Sequence, residues 1–406
     1  MRSRKGKLII KGTVRVIGQG YVGLPISVAA AMSGFKVIGI DKNKTLVENL
    51  NSGKSHIPDI SNEALKEIIK SGNYLAKNDI DLLEETSTNI ICVPTPLNFQ
   101  QQPDLNYLLN AVQEISKVLQ KNDLIIIEST VAPGTTRNIL LSLIEKISGR
   151  TQKDFFLAYS PERIDPLNQK WNLANTPKLI AGISQESLDK AEIFYKNFIK
   201  NLVLCDSIEI AEAAKVLENA FRLINISFIN EMALFCNKIE IDINAVIQAA
   251  STKPYGFMPF YSSLGIGGHC IPVDPIYLTT EAKKLGVQTN MIDMAIEINR
   301  NYYVNFINRS KKLIGNLKDK KILILGVSYK SNISDVRETP VESLILGLKR
   351  EGAKVVWHDD LVGDWNEEKS ADLHENYDLA IIATPHDYFD LTKLGNVPIL
   401  NTRESI

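Results

Sequence analysis

The chain has 406 residues, of which 44% are hydrophobic and 23% are charged, and its formal net charge is -1. This length predicts two or three domains with sizeable cores. The near-zero net charge gives no overall field that would favour nucleic acid or an anionic membrane. We find no apolar stretch near the ~20 residues of a membrane helix and no apolar run suited to a signal peptide.

The four cysteines (Cys92, Cys205, Cys236 and Cys270) are widely spaced and form no CxxC pair. Such usage is typical of a protein in the reducing cytoplasm rather than of a disulfide scaffold. The five histidines show no ligand spacing, so no metal site is predicted. Three of the cysteines lie in apolar or helical patterns, where a buried structural role is expected.

Strand-like and helical patterns alternate through the N-terminal half of the chain. A strand is predicted at 14–17, a glycine-rich turn and a helix at 24–33 follow it, and later strands are predicted at 35–40, 89–93, 124–127 and 155–159. Polar segments come directly after several of these strands. The alternation predicts a parallel sheet, and ligands of such sheets bind at the carboxyl ends of the strands.

The pattern becomes purely helical from about Ser207 to Ala250, which predicts a long helical segment. Beyond it the strand-like runs at 321–325, 353–358 and 379–383 repeat the order of the first strands. The predicted fold class is therefore α/β, with two Rossmann-like doubly wound parallel-sheet domains joined by a long central helical segment. The predicted domains are 1–206, which binds a dinucleotide, 207–305, which is helical, and 306–406, which is Rossmann-like.

The first turn has the pattern Gly18-x-Gly20-x-x-Gly23, and Asp41 ends the second strand eighteen residues later. The glycines permit a tight turn and a close approach of the backbone to a pyrophosphate, whose charge the helix N-terminus favours. A carboxylate at Asp41 can accept hydrogen bonds from both ribose hydroxyls, which favours NAD over NADP. The pattern alone is also compatible with an ordinary glycine turn, but strand, helix, spacing and acid all agree on NAD.

Cys270 lies in the segment Gly267-Gly268-His269-Cys270-Ile271-Pro272-Val273-Asp274. A deprotonated cysteine is a strong nucleophile near neutral pH, and the glycines let another group approach it. Two further patterns are ambiguous on the residues alone. Lys215 and Asn219 share one helix face, which could be functional or could be an ordinary solvated surface. Lys330 and Arg337 could hold phosphates or be ordinary surface charges.

Together these motifs resemble the UDP-glucose/GDP-mannose dehydrogenase family from about Thr13 to Thr402. The matching pieces are GQGYVGLP, VPTP, EST, SPER, AAKVLEN, GGHCIPVDP and GVSYKSNISDVRETP. The resemblance implies an NAD-dependent four-electron oxidation of a nucleotide sugar at C6, in which Cys270 forms a thiohemiacetal and then a thioester. It also implies a homodimer or higher homo-oligomer formed through the helical middle, with no nucleic-acid or membrane partner.

The resemblance assigns roles residue by residue. The implied catalytic residues are Cys270, Lys215, Asn219, Asp274, Glu162 and Thr130. The implied NAD contacts are Gly18, Gly20, Tyr21, Val22, Gly23, Asp41, Pro94, Thr95, Thr130 and Arg337. The implied contacts with the UDP-sugar are Glu162, Arg163, Lys215, Asn219, Phe260, Tyr261, Gly267 and Lys330.

The segment from Thr252 to Tyr261, together with Val273 before Asp274, resembles the branch that oxidises UDP-N-acetylglucosamine for surface polysaccharides. The turn Ser262-Ser263-Leu264 departs from the Pro- and Gly-rich turn of that branch. UDP-N-acetylmannosamine, UDP-N-acetylgalactosamine and UDP-glucose therefore stay open as alternative substrates. A nucleotide-sensing binding protein and a simple two-electron dehydrogenase are the alternatives of other classes.

Overall fold

The computed structural model describes residues 12–83, 87–165, 167–168 and 170–404. The chain divides into two compact units, Met1–Val216 and Leu217–Ile406. Among the described residues, no helix is both long and apolar enough to cross a membrane. The three-domain division drawn from the sequence stays a prediction.

The first unit is built on an eight-stranded sheet with the order β3-β2-β1-β4-β5-β6-β7-β8. Its strands are β1 (Thr13–Ile17), β2 (Lys36–Ile40), β3 (Tyr74–Lys77), β4 (Ser87–Ile91), β5 (Leu124–Ile127), β6 (Phe156–Tyr159), β7 (Lys178–Gly182) and β8 (Leu202–Leu204). All neighbours pair in parallel except β6 and β7. All four residues of β5 are buried, as expected for a central strand that is covered on both faces. The strand order reverses between β1 and β4, which is where doubly wound sheets bind ligands.

Helices cover this sheet and connect its strands. They are α1 (Gly23–Met32), α2 (Lys44–Asn51), α3 (Asn62–Lys70), α4 (Asn106–Lys117), α5 (Ser142–Ser148), which a π-helical segment (Thr136–Leu141) precedes, and α6 (Gln185–Tyr195). Asn43, Ser61 and Ser184 begin three of them by accepting hydrogen bonds from backbone N–H groups of the first turn, the usual use of short polar side chains there. Helix α1 is buried along most of its length.

The helical region predicted at 207–250 consists of two helices rather than one. Helix α7 (Ile208–Lys238) has 31 residues, and α8 (Ile243–Ser251) follows it. The chain breaks the helix at Glu240, whose φ of 58° lies in the left-handed region, and Asp242 then caps α8. This break was not predicted from the sequence, because Ile239 and Ile241 continue the apolar pattern of the helix.

The second unit contains a four-stranded parallel sheet with the order β10-β9-β13-β14. Its strands are β9 (Lys321–Leu325), β10 (Lys354–His358), β13 (Leu379–Ile382) and β14 (Ile399–Asn401), and a small hairpin is formed by β11 (Asp364–Trp365) and β12 (Glu368–Lys369). The remaining helices are α9 (Asp274–Lys284), α10 (Asn290–Asn301), α11 (Tyr303–Ile314) and α12 (Val341–Arg350). The order repeats β2-β1-β4-β5 of the first sheet, so the predicted fold class and its internal repeat are confirmed.

Candidate functional site

The glycine turn lies at the switch point of the first sheet, between the ends of β1 and β4. Gly18 donates its N–H to Ile40 at 2.8 Å and has a φ of +88°, and a Cβ there would lie 2.7 Å from the carbonyl oxygen of Cys92. A Cβ on Gly23 would lie 1.8 Å from the carbonyl oxygen of Gly18. Both positions therefore require glycine, one for its conformation and the other for close packing of α1 on β1.

Gly20 differs from its two neighbours because a Cβ there would meet nothing within 4 Å. The chain thus leaves open space beside the backbone at the start of α1. This is the space that a pyrophosphate needs in order to approach the N–H groups of a helix N-terminus. Tyr21 and Val22 complete the turn, and both are half-buried. The turn therefore fits NAD, which would supply the hydride acceptor when bound.

Asp41 follows β2 and is oriented by two backbone N–H groups. Its carboxylate accepts from Gln19 and from Asn43, both at 2.9 Å. The Gln19 side chain is fully buried and accepts from the hydroxyls of Ser27 at 3.2 Å and Tyr74 at 2.9 Å. Sequence analysis gave Gln19 no role, but the structure shows that it ties the glycine turn to α1 and to β3. We infer that Asp41 is held ready for the ribose hydroxyls.

The ends of β4 and β5 are joined by a side chain. Ser129 donates its hydroxyl to the Val93 carbonyl at 2.7 Å, which brings the segments of Thr95 and Thr130 to the same edge of the sheet. Thr95 is buried and Thr130 is half-buried. The predicted cofactor contacts Pro94, Thr95 and Thr130 are thus grouped beside the glycine turn within the first unit.

Glu162 follows β6 and is held through both its backbone and its side chain. The Lys215 ammonium donates to the Glu162 carbonyl at 2.7 Å. One carboxylate oxygen of Glu162 accepts from the backbone N–H of Arg163 at 2.5 Å and from that of Ile164. The Arg163 guanidinium donates to the Pro177 carbonyl at 3.0 Å. The predicted residues Glu162, Arg163 and Lys215 therefore form one local group.

A buried ion pair lies behind this group and was missed by sequence analysis. Lys178 contacts Glu128 at 2.7 Å, with side-chain exposures of 4% and 0%, and the Tyr195 hydroxyl also donates to Glu128. Burial raises the pKa of Glu128, and Lys178 opposes that rise. Burial alone would lower the pKa of Lys178, but the carboxylates of Glu128 and Glu162 keep it raised.

A second buried carboxylate, Glu212 on α7, caps the chain before the π-helical segment. It accepts from the N–H groups of Gly134 and Thr136 at 2.6 and 2.9 Å. Burial raises its pKa from 4.5 to about 7. The carboxyl therefore stays protonated in the folded chain at pH values where the unfolded chain has already lost the proton. Its contribution to stability is full below pH 4.5 and is lost as the pH rises through about 7.

We expect Glu212→Gln to weaken this pH dependence. Between about pH 5 and pH 8 the wild type should lose on the order of 3 kcal/mol of unfolding free energy that the variant keeps. Urea unfolding followed by circular dichroism across this range measures the difference, and Glu67→Gln, at an exposed position, is the control. Parallel pH curves for the wild type and Glu212→Gln would contradict the assignment.

In the second unit, Cys270 lies in a tight turn just before α9. Its carbonyl accepts from the N–H groups of Val273 at 3.2 Å and Asp274 at 2.8 Å, and the cysteine is exposed. Asp274 is 2% exposed and begins α9, where its charge is stabilised by the helix dipole. Asn219 donates to Asp274 at 2.5 Å. Cys270 is thus an exposed residue in this turn, which fixes a carboxylate four residues beyond it.

The cysteine loop packs closely on the segment that follows β9. A Cβ on Gly267 would lie 2.7 Å from the Tyr329 Cβ, and one on Gly268 would lie 2.9 Å from its ring. Gly268 also donates its N–H to the Arg337 carbonyl at 3.1 Å. The predicted ligand residues Gly267, Lys330 and Arg337 are therefore brought to one region of this unit. The Arg337 side chain is exposed and pairs with Asp335 at 2.5 Å.

The surroundings of His269, next to the cysteine, favour its neutral form. Burial lowers the pKa of its imidazole, and the Arg337 charge lowers it further. The neutral ring cannot stabilise a Cys270 thiolate as an imidazolium would. The structure therefore gives His269 no role as the activating cation.

The aromatic residues predicted to contact the sugar lie in the segment before the cysteine loop. Phe260 is half-buried and packs edge-on against Phe221 of α7, with ring centroids 5.8 Å apart, and Tyr261 is 57% exposed. The unusual turn that follows is anchored, because the Ser262 hydroxyl donates to Asn230 at 2.9 Å. Serine at this position thus has a structural partner on α7.

The second unit has its own counterpart of Asp41, but the carboxylate of that residue already has several hydrogen-bond partners. Asp359 follows β10 and is fully buried. It accepts from the Val327 N–H at 3.0 Å and the Tyr388 hydroxyl at 3.1 Å, and it pairs with His386 at 3.1 Å. The side-chain contacts with His386 and Tyr388 occupy acceptor positions of Asp359 that a ribose hydroxyl would need.

The other three cysteines are structural. Cys236 is buried with Ile229 and Ile243, while Cys92 and Cys205 pack against the cores of the first unit. Burial raises the pKa of both Cys92 and Cys205. In the described part of the chain, no group of three or more His, Cys, Asp or Glu side chains could hold a metal ion.

Comparison with known proteins gives the same family along almost the whole chain. Three models of the UDP-glucose/GDP-mannose dehydrogenase family match: the NAD binding domain at 12–199, the central domain at 209–301 and the UDP binding domain at 323–404. The UDP-N-acetyl-D-glucosamine 6-dehydrogenase of Salmonella typhi is 34% identical over 93% of this chain and 90% of its own length.

Two comparisons involve Pyrococcus horikoshii. Its UDP-N-acetyl-D-mannosamine dehydrogenase is 32% identical over 93% of this chain and 90% of the relative. A solved structure described as the UDP-D-ManNAc dehydrogenase of that organism has a TM-score of 0.88 and 30% identity, covering 97% of this chain and 96% of its own. The chain therefore belongs to the UDP-glucose/GDP-mannose dehydrogenase family of NAD-dependent oxidoreductases that act on nucleotide sugars.

Proposed function

We propose that this protein oxidises the C6 alcohol of a UDP-N-acetylhexosamine to the uronic acid, with UDP-N-acetylglucosamine as the favoured substrate and surface polysaccharide as the destination of the product. The observation that carries the proposal is the exposed Cys270 in a fixed turn before Asp274, which Asn219 holds. An exposed cysteine whose neighbouring backbone is fixed suits covalent catalysis.

The choice of an N-acetylated sugar is supported by the relatives. Those named as UDP-N-acetyl-D-glucosamine 6-dehydrogenases are 34% and 35% identical to this chain. Those named as UDP-N-acetyl-D-mannosamine dehydrogenases are 31% to 33% identical. The difference in sequence identity between the two groups of relatives is small, so UDP-N-acetylmannosamine is the second candidate substrate.

The proposed chemistry removes four electrons as two hydrides, which two molecules of NAD, bound one after the other, would accept. The C6 alcohol first loses a hydride and a proton and becomes an aldehyde. The Cys270 sulfur adds to the aldehyde carbon, and the oxygen takes up a proton. Loss of a second hydride and of that proton gives a thioester. Water then adds to the thioester and the C–S bond breaks, which releases the acid and a proton and leaves Cys270 as the thiolate.

Side chains of the chain would assist these steps through charge and position. Lys215 and Asn219 lie four residues apart on α7, both only 7% exposed, and would stabilise the oxyanion. Asp274 would orient the attacking water with Lys215, Thr130 would help to position that water, and Glu162 would move protons. Arg163, Phe260, Tyr261, Gly267 and Lys330 would hold the UDP-sugar, and Arg337 would contact NAD.

A panel of UDP-sugars with NAD tests the proposal. We expect NADH formation with UDP-N-acetylglucosamine and two NADH for each molecule of acid, measured by absorbance and mass spectrometry. Activity with UDP-glucose alone would reject the N-acetylated substrate. Activity that stops at the aldehyde would instead identify a two-electron dehydrogenase.

We also propose that the protein is a homodimer. Four apolar side chains of α7 are exposed by 45% to 64%: Leu217, Phe221, Phe228 and Phe235. Their spacings of four and seven residues place them on one helix face. A stripe of this kind suits an identical helix, because the same surface can pair with itself about a two-fold axis.

Two charged residues in this stripe are expected to separate the subunits. The wild type should elute with twice the 45.3 kDa mass of one chain, and the variant with Phe228→Glu and Phe235→Glu should elute as a monomer. Size-exclusion chromatography with light scattering measures both, and Arg222→Glu, at an exposed position on another face of α7, is the control. A monomeric wild type would rule out the homodimer.

A further inference from the structure

The buried ion pair of Lys178 and Glu128 needs an explanation beyond stability. Its atoms lie 2.7 Å apart, and the side chains are 4% and 0% exposed. Removing two charges from water is costly, and well-packed apolar residues often stabilise a core at least as well. The Tyr195 hydroxyl donates to the second oxygen of Glu128, so both carboxylate oxygens are engaged. The cation is thus held from behind by a fixed, buried anion.

The other side of the Lys178 ammonium faces the residues after β6. Its nitrogen lies 3.4 Å from the Pro161 carbonyl oxygen and 3.9 Å from a carboxylate oxygen of Glu162. An ammonium has three donors. One goes to Glu128 and one to the Pro161 carbonyl, while the Glu162 carboxylate lies within ion-pair distance. The adjacent Ser160 hydroxyl donates to the Leu179 carbonyl at 2.8 Å, so the start of β7 is fastened to the same segment twice.

The two oxygens of the Glu162 carboxylate have different surroundings. One accepts from the backbone N–H groups of Arg163 and Ile164. The other, which faces Lys178, is buried and accepts no hydrogen bond from any residue that the structure describes. The charge of Lys178 therefore attracts this oxygen and, together with the two N–H groups on the other oxygen, fixes the rotation of the carboxylate.

We infer that Lys178, held by Glu128 and Tyr195, is a positioning residue that orients the carboxylate of Glu162 for proton transfer. Lys178 acts through Glu162 and does not touch the reacting atoms. The inference rests on the proposed function, in which Glu162 moves protons. Glu128, Lys178 and Tyr195, which are separated in the sequence, would then serve together to orient the Glu162 carboxylate.

A double-mutant cycle tests the inference. We expect Lys178→Met to lower kcat by about 10- to 100-fold with little change in the KM for NAD, and Lys178→Arg to recover part of the loss because it keeps the charge. Glu162→Gln should lower kcat by about 100-fold. The variant with both Lys178→Met and Glu162→Gln should be no slower than Glu162→Gln alone, since Lys178 has no other route to the reaction.

Several outcomes would overturn the inference. They are independent, multiplicative losses in the double variant, a Lys178→Arg enzyme as slow as Lys178→Met, or a folded Lys178→Met enzyme with unchanged kcat. Full activity of Glu162→Gln would reject the role of Glu162 and the inference with it. A wild type that oxidises no UDP-sugar would instead reject the proposed function, so the two failures are distinguishable.

Two further variants complete the experiment. Lys196→Met, at an exposed lysine of the same unit, is the matched control and should keep the wild-type kcat. If Lys178→Met does not fold, Tyr195→Phe takes its place because it keeps both charges. It should lower kcat about threefold without changing KM, and an unchanged kcat would overturn the inference.

Discussion

Cys270→Ser is expected to abolish formation of the acid while leaving NAD binding intact. A serine hydroxyl at neutral pH is a far weaker nucleophile than a thiolate, and the loss in acid production should be on the order of 10³-fold or more. Binding of NAD should be preserved because the glycine turn and Asp41 belong to the first unit, whereas Cys270 belongs to the second. Mass spectrometry of the products and calorimetric titration with NAD measure the two effects.

A second cysteine provides the matched control for this prediction. Cys205 is half-buried, and burial raises the pKa of its thiol, so it is not a nucleophile at neutral pH. Cys205→Ser should therefore keep the activity of the wild type. Undiminished acid production by Cys270→Ser would end the thioester mechanism, and comparable losses in both variants would point to a general effect of removing thiols.

The strands at the centre of the first sheet could be predicted because each is a short apolar run next to a turn. The edge strands β3 and β8, and β7 beside β8, were not predicted. Strand β8 is a three-residue edge strand with little burial. Strand β7 has the apolar run Leu179-Ile180-Ala181 between Lys178 and Gly182, which periodicity cannot tell from part of a buried helix. Its direction, antiparallel to β6, follows only from the assembled sheet.

The glycine turn and Asp41 were also predictable, because one local segment and its spacing carry the signal. The buried cluster of Glu128, Lys178 and Tyr195 could not be predicted from the sequence. Glu128 and Lys178 are 50 residues apart, and a charged residue in a sequence reads as solvated unless its partner is known. Gln19 was missed for the same reason, since its partner Tyr74 lies on β3, 55 residues further along the chain.

Gly23→Ala is expected to disrupt the nucleotide turn itself. The added methyl group would lie 1.8 Å from the carbonyl oxygen of Gly18, and a backbone atom cannot move aside as a flexible side chain can. We expect the first unit to lose at least about 3 kcal/mol of stability and NAD binding to be lost with the turn. Thermal unfolding and calorimetric titration with NAD measure these effects.

Gly20→Ala makes the complementary test because it should separate binding from folding. Its methyl group would meet nothing in the chain within 4 Å, so the unfolding free energy should change by less than about 1 kcal/mol. The same methyl group would occupy space that a pyrophosphate needs beside the backbone, and the Kd for NAD should rise about tenfold or more, which corresponds to about 1.4 kcal/mol. Gly363→Ala, where a Cβ is equally unobstructed but lies in the second unit, should change neither quantity. Normal NAD affinity in Gly20→Ala would show that the cofactor does not approach the chain at this glycine. Only a loss of NAD affinity at an unchanged unfolding free energy supports the space beside Gly20 as the pyrophosphate site.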